Sequence, residues 1–240
     1  MPRQAMASYL RALHTHPGPG LAPLPLQACA QALGLDGLAL LLVPAGTGVE
    51  LVQSFGTYAT ALEDLQLTQG QGPSPDAAQK STLHLLPDLS APTASAARHW
   101  PGLPGAIQDL GVHAVFSFPL RIGIIALGAL TGHRTRSGPL SAGQLADAFA
   151  LADTLAQVII DQAARPEPTS GMLLNEPGLL FAEVHQTTGM LSAQQNISCA
   201  RALVLLRGYA YSHDRPLLTC ARDILHHRLR LDGTPDSSGL

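Results

Sequence analysis

The chain has 240 residues, 46% hydrophobic and 13% charged, with a net charge of −3. That composition excludes a disordered chain and leaves room for one large or two small domains. No apolar run reaches the roughly 18 residues of a membrane span, and the first twenty residues hold no apolar core long enough for a secretory signal, so a soluble, cytoplasmic protein is expected.

Cys29, Cys199 and Cys220 form no CxxC pair, and the histidines are scattered. Neither a disulfide framework nor a metal site is indicated, and no cofactor is expected. The slight acidity gives no global attraction to nucleic acid, so any such contact has to come from a local patch.

Residues 1–19 read as an N-terminal extension. The stretch LPLQACAQALG, 24–34, has helical spacing and is closed by Gly34. GLALLLVP and VELVQSFG are short apolar runs bounded by Gly and Pro, the pattern of two buried strands. YATALEDLQLTQ returns to helical spacing, and STLHLLPDL reads as a third strand. HAVFSFPLRIGIIALGALTGHR folds into an antiparallel hairpin about Arg121-Ile122-Gly123.

Ser141 followed by Gln144 is a capping box. It opens a long helix whose apolar face holds Leu145, Phe149, Ala152, Ala156 and Ile159. Val158, Ile159 and Ile160 cannot all face one side. The helix is therefore either a plain core helix or one that also builds a seam between two copies of the chain.

RPEPTSGMLLNEPG, 165–178, reads as a linker, with its boundaries set at 164–176. Helical spacing follows throughout 177–231, and a disordered tail is expected over 232–240. The first helix runs from about 178 to 192, entered through Asn175 and Pro177, with Leu180, Val184, Thr187 and Leu191 on one face. The second starts at Ser198 as N-cap and buries Ala202, Leu205, Leu206, Tyr209 and Ala210. The third starts at Asp214 as N-cap and runs to about Leu231, with Leu217, Ala221, Ile224 and Leu225 as its stripe. Three helices of this size pack only a small core, so a brace is expected from the long helix or a second subunit.

The stretches LTQGQGPSPDAAQKSTLHLLPDL, RHWPGL and AVFSFPLRIGIIALGALTGHRTRSGPLSAGQLADAFALAD resemble a GAF domain over 20–163. The resemblance implies an antiparallel sheet carrying helices on its faces and a small-molecule pocket above one face. Trp100, His113, Phe116 and Phe118 are the candidate pocket residues. The family often has Cys where Ser74 stands, so a thiol role at that loop is not available.

EVHQTTGMLS, ISCARALVLLRGYAYSHDRPL and CARDILHHRL resemble the ANTAR domain, a three-helix module that binds RNA hairpins and controls transcription termination. Together the two resemblances imply an α+β chain: a GAF sensor followed by an all-α, three-helix ANTAR domain. The family commonly has Ala at Thr187, and Glu at Arg201, so half of the second helix's capping box is missing.

The resemblance implies that Gln186, Thr187, Thr188, Gly189, Arg207 and Tyr211 contact RNA. On this reading the small residues let a ribose-phosphate backbone approach, while Arg207 and Tyr211, four apart, present a guanidinium and a ring to a loop base. The residues alone leave a second reading open, in which Gly189 permits close helix packing and Arg207 is a solvated charge. The expected partners are paired RNA hairpin loops, a second copy of the chain, and a small-molecule ligand of the sensor. Catalysis is not expected, because Cys29 alone builds no dithiol and no GxSxG, P-loop or HExxH is present. Two alternatives to RNA remain: a DNA-binding regulator, since three helices can mimic a helix-turn-helix, and a sensor without RNA activity.

Overall fold

Residues 37–42, GLALLL, are apolar without alternation, and the strand they form, β1 (Gly37–Leu42), is buried along its whole length. The computed structural model describes residues 4–14, 25–43, 48–91, 93–163 and 181–231. The expected linker, the start of the first C-terminal helix with Asn175, Pro177 and Leu180, and the expected tail lie outside the described residues. β1 pairs antiparallel with β2 (Glu50–Phe55) on one side and with β5 (Ile125–Arg134) on the other. β5 pairs with β4 (Ala114–Ile122), which pairs with the short β3 (His84–Leu86). The order β2-β1-β5-β4-β3 is antiparallel throughout. The β4–β5 hairpin turns where expected, with Gly123 at φ 58 supplying the positive φ that a two-residue turn needs.

One sheet face carries α2 (Leu26–Leu33) and α7 (Ala142–Ala163). Leu38, Leu40, Phe116, Phe118 and Leu130 meet Cys29, Leu33, Leu151 and Leu155 there in a wholly apolar cluster. The Ser141 capping box forms: the Gln144 N–H donates to Ser141 Oγ at 3.2 Å, and the Ser141 N–H donates to Gln144 Oε1 at 2.9 Å. The buried stripe of α7 is Ala148, Leu151, Ala152, Leu155, Ala156 and Ile159; Phe149, expected on it, is 40% exposed.

Part of the expected N-terminal extension is a helix, α1 (Gln4–His14), which brings Met6 and Leu13 into the same cluster as Val158 and Ile159. Val158 and Ile159 are thus covered within one chain, while Ile160 is half-buried.

The other sheet face carries α3 (Ala59–Gln69), α4 (Pro73–Lys80), α5 (Ala94–His99) and α6 (Leu103–Asp109). α4 occupies the stretch that links the expected helix and third strand. Its Ala77 and Ala78 lie in one cluster with Ala39, Leu41 and Ala129 of the sheet.

The C-terminal part forms α8 (Ala182–Gln195), α9 (Cys199–Ser212) and α10 (Leu217–Leu225). Ser198 caps α9 as expected, accepting from the Arg201 N–H at 3.2 Å. Val184, Leu191, Ala202, Leu206, Ala210, Leu217 and Ile224 pack together and continue into the cluster of the α4-side sheet face. Leu205 is 39% exposed, not core. The brace is the sheet-bearing unit itself: α9 and α10 pack on α3.

Asp214 is not the N-cap of α10. It takes φ 48, and Pro216 precedes the helix. The cap comes from α3, where Asp64 accepts from the Leu217 and Leu218 N–H groups at 3.0 and 2.8 Å. A carboxylate there satisfies two orphan amides and faces the positive end of the helix dipole.

Candidate functional site

The stretch Gly70-Gln71-Gly72-Pro73-Ser74 makes the corner from α3 to α4. Gly70 ends α3 in the left-handed conformation, φ 66, and Gly72 opens α4 at φ 146, where a Cβ would collide with the Gln66 amide. That close approach builds a polar knot. Gln66 Oε1 accepts from the Ser74 N–H at 2.9 Å, and Gln66 Nε2 donates to Ser74 Oγ at 2.8 Å and to Glu63 Oε2 at 3.2 Å. Ser74 Oγ donates to Glu63 Oε1 at 3.0 Å. Burial pushes the Glu63 carboxyl up to about 8, against a smaller downward pull from the Ser74 hydroxyl. Glu63 is therefore mostly neutral at physiological pH.

Beside the knot, Asp76 of α4 lies 2.8 Å from Lys80 Nζ and 2.6 Å from His99 Nε2, and accepts from Trp100 Nε1 at 3.3 Å. Burial pushes the Asp76 carboxyl up, but Lys80 and His99 outweigh it and hold it below its ordinary value. At the start of β2, the buried Glu50 has Oε1 2.6 Å from Nε2 of His185 on α8, without the alignment of a hydrogen bond.

Of these groups, Glu63, Gln66, Asp76, Lys80 and His185 line a cavity of about 200 Å³ at the joint of the two units, with walls from β1, α3, α4, α8 and α9. Arg207 of α9 enters it, its guanidinium against Gly70. Burial lowers the Arg207 pKa, its Nε is buried without an acceptor, and no ion pair forms to it among the described residues. A larger, open groove of about 880 Å³ runs along the opposite side of α3, between α6 and the α9–α10 corner.

The four expected pocket residues do not line either space. Phe116 and Phe118 share a strand face with Ala114 and Leu120 and point at the α7 side, where Phe118 meets Phe149 edge-on at 5.4 Å. Side chains alternate along a strand, so Val115 and Ser117 face the other way. Trp100 is buried between His84 and His99, with its N–H on Asp76. His113 is half-buried, and its backbone joins Arg134 and Leu89. On the other face α4 covers the sheet, its Ala77 and Ala78 sharing a cluster with Ala39 and Ala129.

The expected RNA residues divide. Gln186 and Gly189 are exposed, and Tyr211 is 70% exposed. Thr187 is fully buried, its hydroxyl donating to the Ala221 carbonyl at 3.0 Å, and Thr188 donates to the Val184 carbonyl at 2.7 Å. Both hydroxyls are committed within the bundle and do not face a partner in this arrangement. Arg207 and Tyr211 do not stand together in solvent: Arg207 enters the cavity, and Tyr211 lines the open groove.

Sequence reasoning missed Glu63, Gln66, Asp64 and the inward turn of Arg207. A readable signal was there for the first three, because Glu63, Asp64 and Gln66 interrupt the apolar stripe of a helix that has to cover a sheet. Nothing in the spacing marks Arg207 as inward-facing.

No family profile matches the chain, and comparison with curated proteins finds no match. Solved structures do resemble it. The GAF domain of an Acinetobacter phosphoenolpyruvate-protein phosphotransferase is similar at 14% identity and a TM-score of 0.50, covering 67% of this chain and 93% of that one. The GAF domain of a Coxiella burnetii phosphoenolpyruvate-protein phosphotransferase aligns at 20% identity and a TM-score of 0.45, covering 67% of this chain and 95% of that one. A GAF domain/HD domain protein from Geobacter sulfurreducens aligns at 14% identity and a TM-score of 0.43, covering 59% and 91%. The antiparallel sheet with its flanking helices therefore has the fold of a GAF domain.

Proposed function

We propose that the chain is a two-part regulator: the GAF-fold unit senses a small molecule or a partner, and the three-helix unit, read as an ANTAR domain, binds hairpin loops in nascent RNA and prevents a terminator from forming. The observation that carries the RNA half is Gly189. A glycine inside a helix costs about 0.5–1 kcal/mol relative to Ala. A Cβ at Gly189 would meet nothing within 4 Å, so helix packing does not call for the glycine. It leaves bare backbone facing solvent, the surface a ribose-phosphate chain or an extruded base can approach. Gly208 on α9 is likewise open, and the Tyr211 ring offers a stacking face.

The regulator acts by binding, not by catalysis, in the cytoplasm. Arg207 reaches RNA only when the helical unit leaves the sensor, so docking supplies the control. Two copies on a paired-hairpin target gain by effective concentration, and the working form on RNA is a homodimer.

The test titrates the purified chain with a two-hairpin RNA and, separately, with duplex DNA, at two salt concentrations. The expected result is RNA preference that weakens with salt. Tyr211→Ala should lose about 1–3 kcal/mol of RNA affinity, with folding stability changed by no more than about 0.5 kcal/mol. Preference for the duplex, or Tyr211→Ala binding RNA like the parent, overturns the reading.

A further inference from the structure

We infer that the cavity between the two units is a binding site for a small oxyanion, a compact carboxylate or phosphate, held by Arg207 and bridging the sensor to the helical unit. The charge pattern around the cavity leads there. Asp76 is matched by Lys80 and His99, and Glu50 has His185 beside it. Glu63 is held neutral by burial. Arg207 is left over: a half-buried side chain whose Nε is buried without an acceptor, with no carboxylate paired to it among the described residues.

A desolvated charge without a partner is costly, and a carboxylate or phosphate is the ligand a planar guanidinium binds in bidentate fashion. Size narrows the class. About 200 Å³ is below the roughly 300–1,000 Å³ of drug-sized pockets. It suits a compact acid or phosphate and not a nucleotide or an extended cofactor.

The walls come from both units: Gln66, Gly70 and Lys80 from the sensor, and His185, Leu203 and Arg207 from the helices. A ligand on Arg207 in this cavity therefore favours the docked arrangement over the separated one, because only the docked one contains the site. On the RNA reading, the anion is an inhibitor that keeps Arg207 from RNA.

Inorganic phosphate and succinate are the probes, with potassium chloride at matched ionic strength as control. Each is followed by thermal unfolding and by isothermal titration. At least one oxyanion should give a saturable rise in Tm, about 5–10 °C at 100-fold over its dissociation constant. It should also slow hydrogen exchange at Leu217 and Leu218, the amides held by the sensor's Asp64. Response to phosphate alone, succinate alone or both identifies the oxyanion.

Arg207→Met, and Arg207→Gln as a second variant in case the first fails to fold, should abolish the rise. No saturable rise in the parent chain, a rise equal to that with chloride, or an undiminished rise in the Arg207 variant that folds overturns the proposal. An anion response without RNA affinity keeps the site and removes the RNA reading; RNA affinity without an anion response does the reverse.

Discussion

The two faces of one sheet are built to different rules. Towards α7, Leu38, Leu40, Phe116, Phe118 and Leu130 meet Leu33, Leu151 and Leu155 in an apolar layer that also takes in Met6 and Leu13 of α1. Towards the helical unit, Ala39, Ala77, Ala78 and Ala129 share a cluster with Leu41, Leu51, Phe181 and Val184, and beside it lie a polar knot of Glu63, Gln66 and Ser74 and the ion pair of Asp76 with Lys80. Large interlocking side chains define a single arrangement, because any shift opens a cavity or forces a clash. At the second face, small residues and directed polar contacts interrupt the apolar packing at the joint with the helices. The first face is the foundation of the GAF-fold unit, and the second carries its joint with the helices.

On the foundation side, Ile159 is 7% exposed. Ile159→Glu buries an unpaired charge and should cost roughly 3–5 kcal/mol, read as a fall in the urea midpoint of the whole chain. Were this residue a seam between copies, light scattering would instead show a folded monomer replacing a dimer with the midpoint retained.

Glu63 sharpens the contrast through pH. Its folded pKa of about 8 lies above the ordinary 4.5, so the folded state holds a proton that the unfolded chain releases between these values. The stability this contributes is fully present below pH 4.5 and is lost as pH rises through 8. The slope is at most about 1.4 kcal/mol per pH unit. Glu63→Gln should therefore remove a fall of about 2–3 kcal/mol between pH 5 and pH 7, measured by urea unfolding of variant and parent across that range. An unchanged slope would mean that the knot holds a carboxylate.

The smallest effect expected is at the joint. Asp64→Ala removes the cap of α10 and should cost about 1–2 kcal/mol, with hydrogen exchange quickened in α10 and unchanged in α7. Equal quickening in both helices would mean that the joint and the foundation unfold as one unit.

Much of the fold was legible because local signals decide it. Gly34 ends α2, Ser141 and Gln144 open α7, Ser198 opens α9, and Gly123 turns the hairpin. Each is a choice made within a few residues. The strands were readable as apolar runs between Gly and Pro. α4 was not, because PSPDAAQK carries no apolar stripe; its buried residues are alanines and small polar groups, which look like a loop. The candidate site was read least well. Phe116 and Phe118 were rightly placed on a strand, but which of two buried faces a strand side chain takes depends on what covers each face.

The sequence by itself determined the strands, most of the longer helices, the caps at Ser141 and Ser198, the all-helical C-terminal part and the small residues around Gly189, since each rests on backbone propensity and spacing over a turn or two. Only the tertiary structure decided that Asp64 caps a helix 153 residues further on, that α1 covers the end of α7, and that Arg207 turns inward. Those outcomes depend on which surfaces are brought together across the whole chain. Burial lowers the pKa of Arg207 and raises that of Glu63 from what residue type alone sets, and burial is a property of the packed chain.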